Sequence, residues 1–444
     1  MADGPDAAIA ALEAALERTP STSAPYEHAL LAHRLGLAHA EAGGRPEERL
    51  RHALWCFDRA ASLLDPRFHP VEHARVLTAA GAVRRTMGSP STALELFERA
   101  SAIGGARVGS DEAGAMANNV GLALLEVGEP ARAVVHFDTA HRRFDPTTAD
   151  GRRGRASALH NRGLARAAVG GPDGLRAAMV DYDSALGSAS LDDAPLHHGL
   201  IHHSRGVAAM ALAVVDDRCA RAGQDRWRAV AIDAFTHALD VFVWPAHRVQ
   251  HAIASFNLGR AWAMGASDDD RRRALVRFED AVTSFDPRHQ AAPWREALGA
   301  LEAVEALLAP AHPGWSRADH LVALLAADPS GAASLVRGRM ARWLPLPAQA
   351  RAAALRSFAE AAFHVGGACG TGALVELLTA AMEMPTPVQE AVLDSLLAVR
   401  AAAVDDERRS EIDAVVDRMI GEAVVGPQRV FVRDHLSAGG FERP

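Results

Sequence analysis

Residues 117–140 read ANNVGLALLEVGEPARAVVHFDTA, and this stretch decides the fold. Gly121 stands inside an apolar run of helical period, and Gly128-Glu129-Pro130 then breaks that run with turn and cap residues. A second run follows, carrying Ala133, Phe137 and Ala140 on one helical face. The pattern is that of a helical hairpin whose first helix tolerates a glycine and whose second helix presents a small–aromatic–small face.

The same step recurs along the chain. Aromatic and alanine pair as Phe57 and Ala60, Phe97 and Ala100, Phe137 and Ala140, Tyr182 and Ala185, Phe235 and Ala238, and Phe278 and Ala281. Another alanine precedes each aromatic: Ala53, Ala93, Ala133, Ala178, Ala231 and Ala274. Upstream lie Gly36, Gly81, Gly121, Gly163, Gly206 and Gly259. The glycine-to-aromatic distance is 16 residues in the second and third units and longer in the others, with an insertion around Val214 to Arg228 in the fifth. Glycine inside a helix costs about 1 kcal/mol relative to alanine, so six recurrences require a reason. Close approach of the second helix supplies it. One hairpin leaves an apolar face open, and stacking hairpins closes it. Gly43-Gly44-Arg45-Pro46, Gly88-Ser89-Pro90, Gly128-Glu129-Pro130 and Gly170-Gly171-Pro172 are the expected turns between helices.

In glycine, alanine, aromatic, alanine and proline order, as at Gly121, Ala133, Phe137, Ala140 and Pro146, the chain resembles the tetratricopeptide repeat family over about residues 26–290. The period exceeds the family's usual one. It is similar to the long-period repeats of kinesin light chains and of bacterial regulatory proteins with NNLG-type helices, on the evidence of Asn118-Asn119-Val120-Gly121, Asn161-Arg162-Gly163 and Asn257-Leu258-Gly259. The resemblance implies an all-α, right-handed solenoid of about six hairpins that binds a polypeptide in its concave groove.

Residues 1–25 are expected to form an N-terminal capping helix, 26–308 the repeat array, and 315–444 a helical C-terminal domain after a hinge at Ala309-Pro310-Ala311-His312-Pro313-Gly314. Helices are expected there near 317–327, 331–344, 347–365, 371–384, 387–403 and 408–424, and the segment from Pro387 to Leu397 resembles one helix of a HEAT repeat.

Composition limits the function. A net charge of −8 and a pI near 6.2 argue against a nucleic-acid surface. All 47 basic residues are arginine, as codon bias in a GC-rich bacterial genome would produce; selection against amine modification is the alternative. Cys56, Cys219 and Cys369 have no metal-type spacing and form no disulfide framework. With neither a basic leader nor an apolar run long enough to span a bilayer, the expected location is the cytoplasm.

The four asparagines, Asn118, Asn119, Asn161 and Asn257, all lie two or three residues before a repeat glycine. Asparagine is a poor helix former, so its concentration there needs explaining. The family resemblance places these positions in the groove, where an amide offers an acceptor and two donors to an extended peptide. The competing reading has the amides tie adjacent helices together. His33, Thr78, Asn118, His160, His203 and Phe256 form a neighbouring row, with Arg260 close by. The lysine–asparagine carboxylate clamp of other family members is missing, and Arg75, Arg85 and Arg260 are its candidate substitutes. His198 and His202, one turn apart, are weak candidates for a metal site with Asp192 or Asp193 nearby, but no HExxH motif accompanies them. Gly366 to Gly372 lacks the Lys-Ser/Thr ending of a phosphate loop and reads as a helix–helix turn; Cys369 and His364 nearby do not make a catalytic pair by sequence alone. Asp268 to Arg273 reads as a helix start on a solvated face.

These readings favour a non-enzymatic scaffold that needs no cofactor, with a protein or peptide partner and neither nucleic acid nor membrane. The rivals are an enzyme or small-molecule or metal-binding protein of specialised metabolism using the His197–His203 cluster, and a ligand-responsive sensor.

Overall fold

The computed structural model describes residues 5–42, 46–188, 191–192, 194–215, 221–327 and 329–441. Gly43, Gly44, Arg45, Asp193 and Cys219 lie outside the described residues, as does part of the insertion in the fifth unit. Among the described residues there are 21 helices and no strand. The chain divides into two compact units, Met1–Val241 and Phe242–Pro444.

In the first unit, α1 (Pro5–Arg18) packs on α2 (Pro25–Glu41), which pairs with α3 (Pro46–Leu63). The next hairpins are α4 (Pro70–Thr86) with α5 (Pro90–Gly104), α6 (Ser110–Glu126) with α7 (Pro130–Arg143), α8 (Ala149–Val169) with α9 (Gly171–Ser188), and α10 (Pro195–Val215) with α11 (Arg221–Val241). Proline leads α1, α2, α3, α4, α5, α7 and α10, which shows why the boundaries were legible. Proline at the first position gives up an N–H that has no partner there anyway. Gly88, Gly128 and Gly170 close the preceding helices at positive φ, which a side chain would resist.

Each repeat glycine faces the aromatic ring of its own hairpin. A Cβ on Gly36 would stand 2.5 Å from the Phe57 ring, and one on Gly121 2.6 Å from Phe137. The same holds at Gly81, Gly163, Gly206 and Gly259. Thus the aromatic ring, rather than a second backbone, occupies the vacant space. All six rings are buried, and each contributes about 1.5–3 kcal/mol by leaving water. The first helices of successive hairpins also touch one another, α2 on α4, α4 on α6, α6 on α8 and α8 on α10, which makes them the inner layer of a tetratricopeptide-type solenoid.

The second unit begins with a sixth hairpin, α12 (Arg248–Ala263) and α13 (Asp268–Ser284), followed by α14 (Ala291–Leu308). Then come α15 (Arg317–Ala327), α16 (Pro329–Trp343), α17 (Ala348–Val365), α18 (Gly367–Met382), α19 (Thr386–Ala401), α20 (Asp406–Ala423) and α21 (Pro427–Ala438). The sequence did not single out α14 or α21. The central helix is α18, which packs against α15, α16, α17, α19 and α20 and is apolar on most of its circumference. Its glycine-rich start differs from the expected turn: only Gly366 and Gly367 have positive φ, and helix runs on through Cys369 to Met382. Val276 of the sixth hairpin enters the same core as Leu321, Phe358, Leu378 and Leu393, so that hairpin packs with the later helices.

The run Asp268 to Arg273 starts α13, with Ser267 capping by accepting from Asp270 N–H. It is less solvated than expected. Arg272 lies over the Trp315 ring, and Arg273 lies 4.9 Å from the centre of the Trp262 ring. No helix among the described residues is long and apolar enough to cross a membrane.

Candidate functional site in the inner helix layer

Four members of the row three residues before the repeat glycines are set by ring packing. His33 tilts against Phe57, His160 stands edge-on to Tyr182, His203 tilts against Phe235, and Phe256 packs on Phe278, with centroids 5.6–5.9 Å apart. A planar side chain at this position therefore covers the aromatic that fills the glycine's space. Burial drives the His160 imidazole down to about 3, helped by His197 and His203, and burial drives His203 down to about 4. His33 is also lowered, by burial and then by Arg75 and Arg34. These rings are neutral near pH 7, which allows them to lie within the layer.

The asparagines divide by one residue of helical phase. Asn161 on α8 donates from Nδ2 to Oδ1 of Asn118 on α6 at 3.0 Å, tying adjacent inner helices together. Asn161 is buried and Asn118 half-buried. Alongside this rung, His160 Nε2 and Ser204 Oγ lie 2.9 Å apart and join α8 to α10. Asn119, half-buried on α6, has no side-chain hydrogen bond among the described residues. Asn257 and Arg260 lie on α12 in the second unit, where Arg260 is exposed with its guanidinium over Phe256.

Arg75 and Arg85 do not stand ready as a carboxylate clamp. Arg75 holds Glu112 through two bonds of 2.6 and 2.8 Å, and Arg85 reaches Glu126 at 3.2 Å. These pairs are further ties between α4 and α6. A deeper network was not anticipated. Asp181 on α9, 1% exposed, accepts from Arg162 at 2.6 Å and Arg166 at 2.8 Å, while Arg162 also reaches Asp138 on α7 at 2.7 Å. Its only sequence signal was an arginine directly before a repeat glycine.

On α10, His198 and His202 are neighbours with centroids 4.8 Å apart, and His237 of α11 stacks on His202 at 5.0 Å. Burial, with His198 and His237 adding to it, lowers His202 to about 4. Among the described residues, no three His, Cys, Asp or Glu side chains form a group able to hold a metal ion. Leu196, Leu200, Val207 and Val214 form a stripe along one face of α10, each more than two-fifths exposed. Cys369 is exposed, and His364 binds Asp319 through Nδ1 at 2.8 Å.

No protein-family model matches the chain, and no curated protein matches it. Similar solved structures include YrrB, a tetratricopeptide protein with an unusual peptide-binding site, at 18% identity, with 55% of this chain and 95% of that chain covered and a TM-score of 0.34. A tetratricopeptide repeat protein from Parabacteroides merdae is 14% identical, covering 68% of this chain and 92% of its own, with a TM-score of 0.40. A human IFIT1 dimer with m7Gppp-AAAA is 12% identical, covering 93% and 77%, with a TM-score of 0.38.

Proposed function

We propose that the protein is a non-enzymatic cytoplasmic scaffold that holds an extended segment of a partner polypeptide on the inner helix layer of the first unit. One observation carries the reading: the exposed stripe of Leu196, Leu200, Val207 and Val214 lies on an inner helix. Exposed apolar stripes of this kind mark interaction surfaces. Asn119 on α6 supplies a group suited to peptide backbone, and the amide nitrogen of Asn118, whose Oδ1 alone is engaged by Asn161, supplies another. Because Arg75 and Arg85 are already engaged by Glu112 and Glu126, the reading favours a segment bound by aliphatic side chains and main chain over one bound by its terminal carboxylate. Asn257, Arg260 and the C-terminal helices, residues 315–444, would provide a second contact surface.

The test is selection of a phage-displayed random peptide library on the full chain, followed by affinity measurement on Leu200→Glu/Val207→Glu and Asn119→Ala. Enriched peptides should be aliphatic and should lose roughly tenfold or more in affinity for the doubly charged variant, a change of about 1.4 kcal/mol. Peptides that bind this folded variant as well as wild type would place the site elsewhere.

A further inference from the structure

Within the second unit, the sixth hairpin is fastened to α16 around a buried carboxylate. Asp280 on α13 is 4% exposed and meets Arg342 at 2.8 Å, Arg277 at 3.3 Å and Arg339 at 3.4 Å. Arg339, 5% exposed, also binds Glu279 at 2.7 Å and donates to the Val276 carbonyl at 3.2 Å. Arg342 donates to Thr283 Oγ1 at 3.1 Å. Its other terminal nitrogen points at Nε2 of His251 on α12, 3.2 Å away.

A guanidinium has only donors, so His251 Nε2 must offer its lone pair. The proton of the neutral ring then lies on Nδ1, which faces Ser255 Oγ at 3.3 Å. A second proton would have to enter at Nε2, directly against the Arg342 cation. The charged groups acting on the ring are Arg342 from α16 and Arg277 and Asp280 from α13, two cations against one anion. Asp280 is already shared by Arg277, Arg339 and Arg342, so an imidazolium has no uncommitted carboxylate to turn to. His312 shows the contrast. It takes the same kind of bond from Arg272 at 2.8 Å, but Asp268 Oδ2 lies 3.3 Å from the same nitrogen.

We infer that His251 and Arg342 form an acid-released latch: the sixth hairpin is clamped to α16 while the imidazole is neutral and let go when it takes a proton. Burial, then Arg342, holds the imidazole down to about 4 while the latch is closed, whereas a released ring returns to the ordinary value of 6.5. Release is therefore favoured progressively as pH falls through the interval between these values.

The test is hydrogen exchange of the full chain between about pH 7.5 and about pH 5.5, corrected for intrinsic rates, with wild type against His251→Gln. By proton linkage, opening of α16 should rise roughly tenfold in wild type across this range and change less than about twofold in the variant. An equal rise in both, or none in wild type, overturns the proposal. Should His251→Gln fail to fold, imidazole titration by NMR in wild type decides. His251 should gain its proton only as α16 loses protection, and protonation with α16 still protected overturns the latch.

Discussion

Asp181 in the first unit and Asp280 in the second are both buried carboxylates ringed by guanidiniums, yet their partners come from different distances along the chain. Arg162 and Arg166 sit on the helix paired with that of Asp181, and the reach to Asp138 stops at the preceding hairpin. Arg339 and Arg342 come to Asp280 from beyond α14 and α15. The first network staples neighbouring repeats, and its bonds join guanidinium to carboxylate and to the Ala177 carbonyl. The second fastens a repeat to a helix outside the repeat pattern and includes an imidazole. Local networks therefore reinforce a joint that the hydrophobic repeat already specifies. The distant one creates a joint and makes it sensitive to protons. Burial alone would raise the Asp280 carboxyl, but Arg342, Arg339 and Arg277 overcome this and hold it below its ordinary value.

The largest expected effect comes from removing either carboxylate. Asp280→Ala leaves the largely buried Arg342 without a carboxylate and Arg339 with Glu279 alone, and Asp181→Ala leaves Arg166 without one and Arg162 with Asp138 alone. Each should cost about 3–5 kcal/mol in urea unfolding of the full chain. Losses below about 1 kcal/mol would reduce both networks to the rank of exposed ion pairs. Next is His160, whose ring meets Ser204 rather than an arginine, and which tests whether acid sensitivity is confined to the second unit. Its imidazole is held at about 3 by burial and then His197 and His203, against 6.5 when unfolded. Because the unfolded chain binds the proton more readily, this contribution is complete above 6.5 and is lost as pH falls toward 3. Between about pH 7.5 and about pH 5 it should remove about 2 kcal/mol, and His160→Gln should flatten that part of the stability profile. An unchanged slope in the variant would assign the acid loss to other histidines.

Sequence made one side of this comparison readable. Gly121 and Phe137 are local partners of a kind repeated six times, so register and spacing alone expose their packing. Gly88 and Gly128 likewise announce turns through a property of their own backbone. Arg339 and Arg342 carry no such local mark, because their partner Asp280 is far away in sequence. Three arginines on α16, Arg337, Arg339 and Arg342, were the available hint of a polar buried joint. In the candidate site, the chemistry of Asn118 and Asn119 was legible but their directions were not. Adjacent helical residues differ by about 100° in direction, which is enough to send one amide to a neighbouring helix and leave the next unbonded. His33, His160 and His203 read as a polar row because an imidazole's role as a flat cover over an aromatic ring depends on the packing around it.

A smaller effect tests the repeat joint without any charge. Gly121→Ala would place a methyl group against Phe137, and overpacking of this kind should cost about 1–3 kcal/mol. Phe137→Leu in the same chain should recover part of that loss by making room. A Gly121→Ala protein as stable as wild type would show that the ring can move aside and that the glycine is kept for another reason.

The smallest expected effect concerns the amide rung between α6 and α8. Asn161→Ala removes the donor to Asn118 and should cost about 0.5–1.5 kcal/mol, the net value of one hydrogen bond. Asn118→Ala should cost a similar amount, while the double variant should lose less than the sum, because the same bond is removed twice. Asn119→Ala should leave stability within about 0.5 kcal/mol of wild type, since it breaks no such tie. The difference separates two roles that adjacent asparagines play on one helix. If Asn119 proves as costly as Asn161, it is a structural residue too, and the inner layer presents fewer open amides to a partner. If Asn161 costs nothing, the rung is dispensable and both of its amides are available for binding.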